Sequence, residues 1–144
     1  VPLVVVGPRE PIRSLLEDDT RGVRLIGSVP EEDLPFVLQG AVVALYPSLA
    51  EGFGLPAVEA LAAGTPLVTS DRTALPEVVG QAAVLVDPES VEAIADAIRS
   101  LLNDENKRRR LKELGKVRAR EYSWERAARR VLALYRELVP CPHH

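Results

Sequence analysis

Methionine is absent from this 144-residue chain, and cysteine, histidine and tryptophan are nearly so. Each scarcity removes a class of chemistry. The single cysteine, Cys141, stands at the end, so no internal disulfide can form, which suits a reducing compartment. The two histidines are the last two residues, His143 and His144. The body therefore has no histidine base, no His/Cys zinc cluster and no Ser-His-Asp arrangement. It lacks an Asp-x-Asp pair, and Asp18-Asp19 reads as a polar turn, so no metal is expected. A phosphate-binding Gly-x-x-x-x-Gly-Lys-Ser/Thr loop is missing too, which argues against a nucleotide hydrolase. No apolar run approaches the roughly 18 residues of a membrane span, and no secretory signal is seen. The expectation is a cytoplasmic chain. The start at Val1-Pro2 reads as a fragment or a processed product, and residues 140–144 read as a disordered or appended tail.

What is present is ordinary in bulk. Charged residues make up 27% and hydrophobic ones 47%, the balance of one globular domain. The net charge of −3 hides an asymmetry: residues 1–106 carry 6 basic and 17 acidic side chains, residues 107–144 carry 12 and 4. The basic end reads first as a solvated helix face, and second as a peripheral contact with an anionic inner membrane surface. Nucleic acid is not expected as a partner.

Short apolar runs alternate with helical spacing. Strands are expected at Leu3–Val6, Val23–Ile26, Ala41–Tyr46, Pro66–Ser70 and Ala83–Val86, most of them closed by Gly, Pro or Asp. Helices are expected at 11–18, at Pro30–Leu38 with Glu31, Glu32 and Asp33 in the first turn, from Pro56 to a stop at Gly64, and as a short turn at Pro76–Val79. Three longer helices follow. The first carries Val91, Ile94, Ala95, Ile98, Leu101 and Leu102 on one face. The second is capped by Asp104. The third is capped by Ser123 and carries Trp124, Ala128, Val131, Tyr135 and Leu138 on a stripe expected to lie in the core. The pattern predicts an α/β fold, an open parallel Rossmann-like sheet with helices on both faces. Ligands of such sheets bind beyond the carboxyl ends of the strands.

The stretch Glu51-Gly-Phe-Gly-Leu-Pro-Ala-Val-Glu59 lies on that edge. Gly52 and Gly54 leave a loop bare of side chains in front of a helix that Pro56 starts, where free N–H groups and the helix dipole favour an anion. Glu59 sits about one turn into the helix, where side chains lean back toward its start. Two carboxylates beside an anion site fit a ligand with phosphate in the middle and hydroxyls on either side. Singly, each would read as a solvated loop carboxylate and a helix-capping one. The loop Gly27-Ser28-Val29 and the loop Ser70-Asp71-Arg72 share the edge if all strands are parallel. Gly52-x-Gly54-x-x-Ala57, with Asp71 downstream, also matches a dinucleotide fingerprint. Against it, residues Pro47 to Glu51 separate the glycines from the strand, and that strand is not the first of its unit. Arg72 reads first as a surface arginine in a turn, and second as a phosphate partner.

The Glu-x7-Glu segment, in the setting Tyr46-Pro-Ser48 … Glu51 to Glu59 … Gly64-Thr-Pro66, resembles the C-terminal domain of retaining "group 1" glycosyltransferases of the GT-B fold, among them bacterial mannosyltransferases. The resemblance continues through Ser70-Asp-Arg-Thr-Ala-Leu-Pro-Glu77, Val84-Leu-Val-Asp-Pro88 and Tyr122-Ser-Trp124. It implies a nucleotide-diphosphate sugar as donor and no metal or other cofactor. Glu51 would contact the donor sugar and count as the catalytic residue, and Glu59 would bind the ribose. Main chain at Gly52, Phe53, Gly54 and Leu55 would meet sugar and diphosphate, and Ser28 and Val29 would lie against the base. Residues 1–139 would form the donor-binding domain.

The resemblance also implies a strand and helix, carrying an arginine and a lysine for the diphosphate, before Leu3–Val6, together with an N-terminal acceptor domain. Neither is in this sequence, so the chain alone is expected to be inactive. Where that strand would lie, the strands at 3–6 and 42–46 are expected to pair directly, or a second copy to fill the gap. The alternative functions are a non-catalytic nucleotide- or sugar-phosphate-binding module, a sugar epimerase and a glycan phosphorylase.

Overall fold

Branched apolar residues set the strands, and prolines and glycines set where they stop. The computed structural model describes residues 1–8 and 21–138. The expected helix at 11–18, the Asp18-Asp19 turn and the tail at 140–144 lie outside the described residues. The chain divides into two compact units, one up to Val37 and one from Leu38 onward.

In the first unit, β1 (Leu3–Val6) pairs in parallel with β2 (Val23–Gly27), Leu3 opposite Val23 and Val5 opposite Leu25. Helix α1 (Leu34–Gly40) begins later than its pattern suggests. A helix from Pro30 would place Pro35 in its interior, without the N–H that bonds back to residue 31. Instead Pro30 O accepts the N–H groups of Asp33 and Leu34, at 3.0 and 3.1 Å, and Pro35 falls in the first turn, where it is tolerated. The acidic residues 31–33 therefore precede the helix.

The second unit is a three-stranded parallel sheet in the order β3-β4-β5, with β3 Ala44–Tyr46, β4 Leu67–Ser70 and β5 Ala83–Val86. The expected strand at 41–46 is cut to its last three residues. The described strands form two ladders, one in each unit. Central β4 is buried along its whole length. Its alternation feeds two cores. Leu67 packs with Ala57, Leu61, Leu75 and Val79, from helices α2 (Leu55–Ala63) and α3 (Leu75–Val79). Val68 packs with Val86 of β5 and with Ala97, Leu101 and Leu111, from helices α4 (Val91–Asn103) and α5 (Glu105–Ala119). Helices thus cover both faces of the sheet. In α4 the buried face is centred on Ala97 and Leu101, while Val91 is 76% exposed.

The caps follow their residue types. Ser90 Oγ accepts from Ala93 N–H and Asp104 Oδ1 from Lys107 N–H, while the Ser123 hydroxyl oxygen accepts from Arg126 N–H. Gly64, at φ 72°, ends α2. Gly115, in the middle of α5, lets that helix close on α2, since a Cβ there would stand 3.2 Å from Leu61 Cδ2. The last helix, α6 (Trp124–Leu138), departs from expectation, because it buries none of its residues. Trp124 is 83% exposed and Tyr135 63%, so the predicted core stripe is a solvent-facing apolar stripe.

Candidate functional site

Parallel pairing carries β3, β4 and β5 to one carboxyl edge, and the loop after β3 holds Glu51 there. Tyr46, the last residue of β3, directs its hydroxyl to Glu51 Oε1. The Ser48 hydroxyl donates to the same oxygen at 2.9 Å. Among the described residues nothing donates to Oε2. The two hydrogen bonds, Tyr46 first, hold the Glu51 carboxyl below its ordinary value. It is thus a carboxylate at neutral pH, able only to accept, with one oxygen fixed by protein and the other open. Burial, then the bond to Glu51, then the charges of Glu51 and Glu59 push the Tyr46 hydroxyl up to about 12. Glu59 makes the smallest of these contributions.

The loop then enters α2 through Gly54, its N-cap, at φ 95° and ψ 54°. A Cβ at Gly54 would stand 2.5 Å from Cδ2 of the fully buried Leu75, so both backbone and space demand glycine. Gly52 has nothing within 4 Å of the corresponding point. No side chain caps the helix. Among the described residues the main-chain N–H groups of Gly52, Phe53, Gly54 and Leu55 find no acceptor. Four successive donors at a helix N-terminus, beside an open carboxylate oxygen, match an anion next to a hydroxyl group. Glu59 is exposed, one turn further on, and its carboxylate has no hydrogen bond among the described residues.

The loop is braced from outside by residues that sequence reasoning missed. Glu51 N–H donates to Thr73 Oγ1 at 3.1 Å, across 22 positions of chain. Phe53 meets Tyr122 edge-to-face with ring centroids 5.3 Å apart. Tyr122 in turn donates to Val78 O at 3.1 Å and lies under the Arg118 guanidinium, 5.1 Å from its ring centroid. Arg118 Nε also reaches Val78 O, at 2.9 Å. Tyr46 abuts the loop in sequence, whereas Thr73 and Tyr122, although within segments that carry the resemblance, are adjacent to it only in the fold. Arg72 is taken by Asp87 and Glu89, both at 2.8 Å, as its surface reading implied. Ser28 and Val29 follow β2 in the first unit, Ser28 exposed and Val29 half-buried. Among the described residues no group of three His, Cys, Asp or Glu side chains could hold a metal ion.

The model of the family "Glycosyl transferases group 1" matches residues 1–118. The chain belongs to the group 1 glycosyl transferases. It is 39% identical, over 95% of its length, to the O-antigen chain mannosyltransferase B of Escherichia coli, of which it covers 38%. Among solved structures it superposes on sucrose-phosphate synthase from Thermosynechococcus elongatus with a TM-score of 0.86 at 32% identity, over 94% of this chain and 38% of that one. It also matches the Anabaena protein HepE, solved with UDP-glucose, with a TM-score of 0.82 at 20% identity, over 96% of this chain and 41% of that one. The last is a likeness of fold. The chain thus spans about two fifths of the length of the relatives it matches. Its α/β architecture, with parallel strands and helices on both faces, is that of the corresponding part of these glycosyltransferases.

Proposed function

We propose that residues 1–139 are the donor-binding half of a retaining hexosyltransferase of GT-B architecture, and that the loop at Glu51–Glu59 holds a nucleotide-diphosphate sugar. One observation carries the reading: among the described residues, Oε2 of the held Glu51 carboxylate and the four main-chain N–H groups that follow it in the chain are all without a partner. The N–H groups suit diphosphate oxygens. Glu51 accepts from a sugar hydroxyl and is the catalytic residue, positioning the anomeric carbon. Glu59 accepts from the ribose hydroxyls. The mannosyltransferase among the relatives makes a mannosyl nucleotide the first candidate, and the UDP-glucose of HepE the second.

In the transfer the bond from the anomeric carbon to the diphosphate oxygen breaks. The acceptor oxygen bonds to the same face of the sugar, and its proton passes to the leaving diphosphate. Negative charge grows on that diphosphate, and stabilising such charge is often the largest catalytic term. The arginine next to the loop, Arg72, is already engaged by two carboxylates. On this reading the cations and the acceptor site come from the rest of the protein, and this chain alone binds donor without transferring it. No cofactor or metal enters the scheme.

The exposed stripe of α6 favours a second contact. Trp124, Val131, Leu134, Tyr135 and Leu138 form an apolar face, opposite Arg126, Arg129 and Arg130. A stripe of this kind wants cover: the remaining part of the protein, a second copy of the chain, or an anionic membrane surface. Among the described residues no helix is long and apolar enough to cross a membrane. Co-flotation with anionic vesicles at low salt supports the membrane, and a dimer in light scattering supports the second copy. Calorimetry with GDP-mannose, UDP-glucose and ADP-glucose tests the donor reading. Saturable binding of one, with no sugar transferred, is expected. Transfer by the chain alone refutes the division of labour, and binding of none refutes the donor site.

A further inference from the structure

Thr73 is a branched residue in the left-handed region, at φ 56°, and the only non-glycine there among the described residues. Such a residue is a genuine outlier, because its Cβ branch crowds the backbone, and the conformation persists only where the surroundings impose it. Within its own loop the Leu75 N–H donates to Arg72 O at 3.4 Å, closing a turn in which Thr73 is the second residue. Its hydroxyl oxygen accepts the Glu51 N–H at 3.1 Å, from the loop after a different strand. Two residues on, Leu75 closes on Gly54 so tightly that no side chain fits between them. The segment 73–75 thus grips the carboxylate loop at two places, Glu51 and Gly54, which bracket the row of free N–H groups.

We propose that Thr73 is a positioning residue for the donor site: its strained backbone presents the hydroxyl that fixes the main chain of Glu51, and through it the open carboxylate oxygen. This rests on the reading of the loop as a donor site. The Tyr46 and Ser48 hydroxyls fix the Glu51 carboxylate from one end. Thr73 fixes the main chain at the other. Tyr46, Ser48 and Thr73 together hold Glu51 at its carboxylate and at its main chain, and among the described residues Oε2 accepts nothing. Without the hydroxyl at position 73 the loop gains freedom, and a ligand must order it on binding. The strain is retained because a glycine there, although easier on the backbone, carries no hydroxyl.

The test compares Thr73→Ser, Thr73→Ala and Thr73→Gly in the 144-residue chain. Amide hydrogen exchange at Glu51 reports the contact without any ligand. Calorimetry with GDP-mannose and UDP-glucose reports its consequence, and thermal melting reports the fold. Loss of one such hydrogen bond is expected to speed Glu51 exchange and weaken sugar-nucleotide binding by about fivefold in Ala and Gly. Ser is expected to restore both. Gly is expected to melt at or above the parent temperature, since it relieves the left-handed strain. A purely structural role would instead lower melting and binding together and leave Gly the best of the three in both. Unchanged Glu51 exchange in Ala and Gly, or binding within twofold of the parent, overturns the proposal. If the parent binds neither sugar nucleotide, the donor reading fails and this proposal with it, while Glu51 exchange still reports whether the contact exists.

Discussion

Replacing Gly54 by alanine puts a methyl group where the structure has no room. At φ 95° an L-residue meets its own following carbonyl, at about 1–2 kcal/mol. The added Cβ lies 2.5 Å from Leu75 Cδ2, well inside van der Waals contact. Leu75 is fully buried among Ala57, Leu61, Leu67 and Val79, so it has little space to turn away. Overpacking of this kind costs about 1–3 kcal/mol. Together the two effects give about 2–5 kcal/mol, a large share of a typical total stability of about 5–15 kcal/mol. At roughly 4 °C per kcal/mol for a chain of this size, the melting temperature falls by about 8–20 °C. Gly52→Ala is the internal control, since Gly52 is exposed and has nothing within 4 Å; a change within about 0.5 kcal/mol is expected there. Thermal and urea melts of both variants measure the difference. If Gly54→Ala melts within about 2 °C of the parent, or both glycines respond alike, the packing argument for the loop is wrong.

Tyr46→Phe leaves Ser48 as the one side-chain donor to Glu51, so the Glu51 carboxyl moves up toward its ordinary value in an NMR titration, and the phenol absorbance change near pH 12 disappears. The signs are opposite for the two groups. Glu51 is depressed, so its contribution to stability is present above its ordinary value of 4.5 and is lost as the pH falls below it. Tyr46 is raised, so its contribution is complete below pH 10 and is lost as the pH climbs toward 12. The stability gap between parent and Tyr46→Phe is therefore expected to be widest near neutral pH and to close at both ends. Asp104→Ala removes the cap whose carboxylate accepts Lys107 N–H and is expected to cost about 1 kcal/mol in urea melts. Leu61→Ala opens a cavity between α2 and α5 and is expected to cost about 2–5 kcal/mol by the same assay.

Much of this was readable from residue types, because the relevant interactions are local. Gly64 closes α2 in a left-handed turn, and Ser90, Asp104 and Ser123 cap the helices they precede, since each acts within one turn of chain. The late start of α1 was also legible in Pro35, whose missing N–H outweighs the acidic residues that seemed to begin a helix. The stripe of α6 misled because a 3.6-residue apolar period reports that a face wants cover, not what covers it. At the site, Glu51, Gly54 and Glu59 are adjacent in sequence and visible there. The groups that hold them, Thr73 at 22 positions' distance and Tyr122 beyond it, come together only through the parallel pairing of β3 with β4 and the packing behind it. The strain at Thr73 has no signature in its residue type, since threonine is an unfavoured choice for that backbone.

In the proposed donor site Glu51 faces the sugar and Glu59 the ribose. Calorimetric titration of the parent, Glu51→Gln and Glu59→Gln, each with a sugar nucleotide and with the matching nucleoside diphosphate, tests it most directly. Loss of a charged hydrogen-bond acceptor is expected to weaken binding by about tenfold or more. Glu51→Gln is expected to weaken binding of the sugar nucleotide but not of the bare diphosphate, while Glu59→Gln is expected to weaken both. Equal effects of Glu51→Gln on the two ligands, or an unchanged affinity in Glu59→Gln, would contradict that placement.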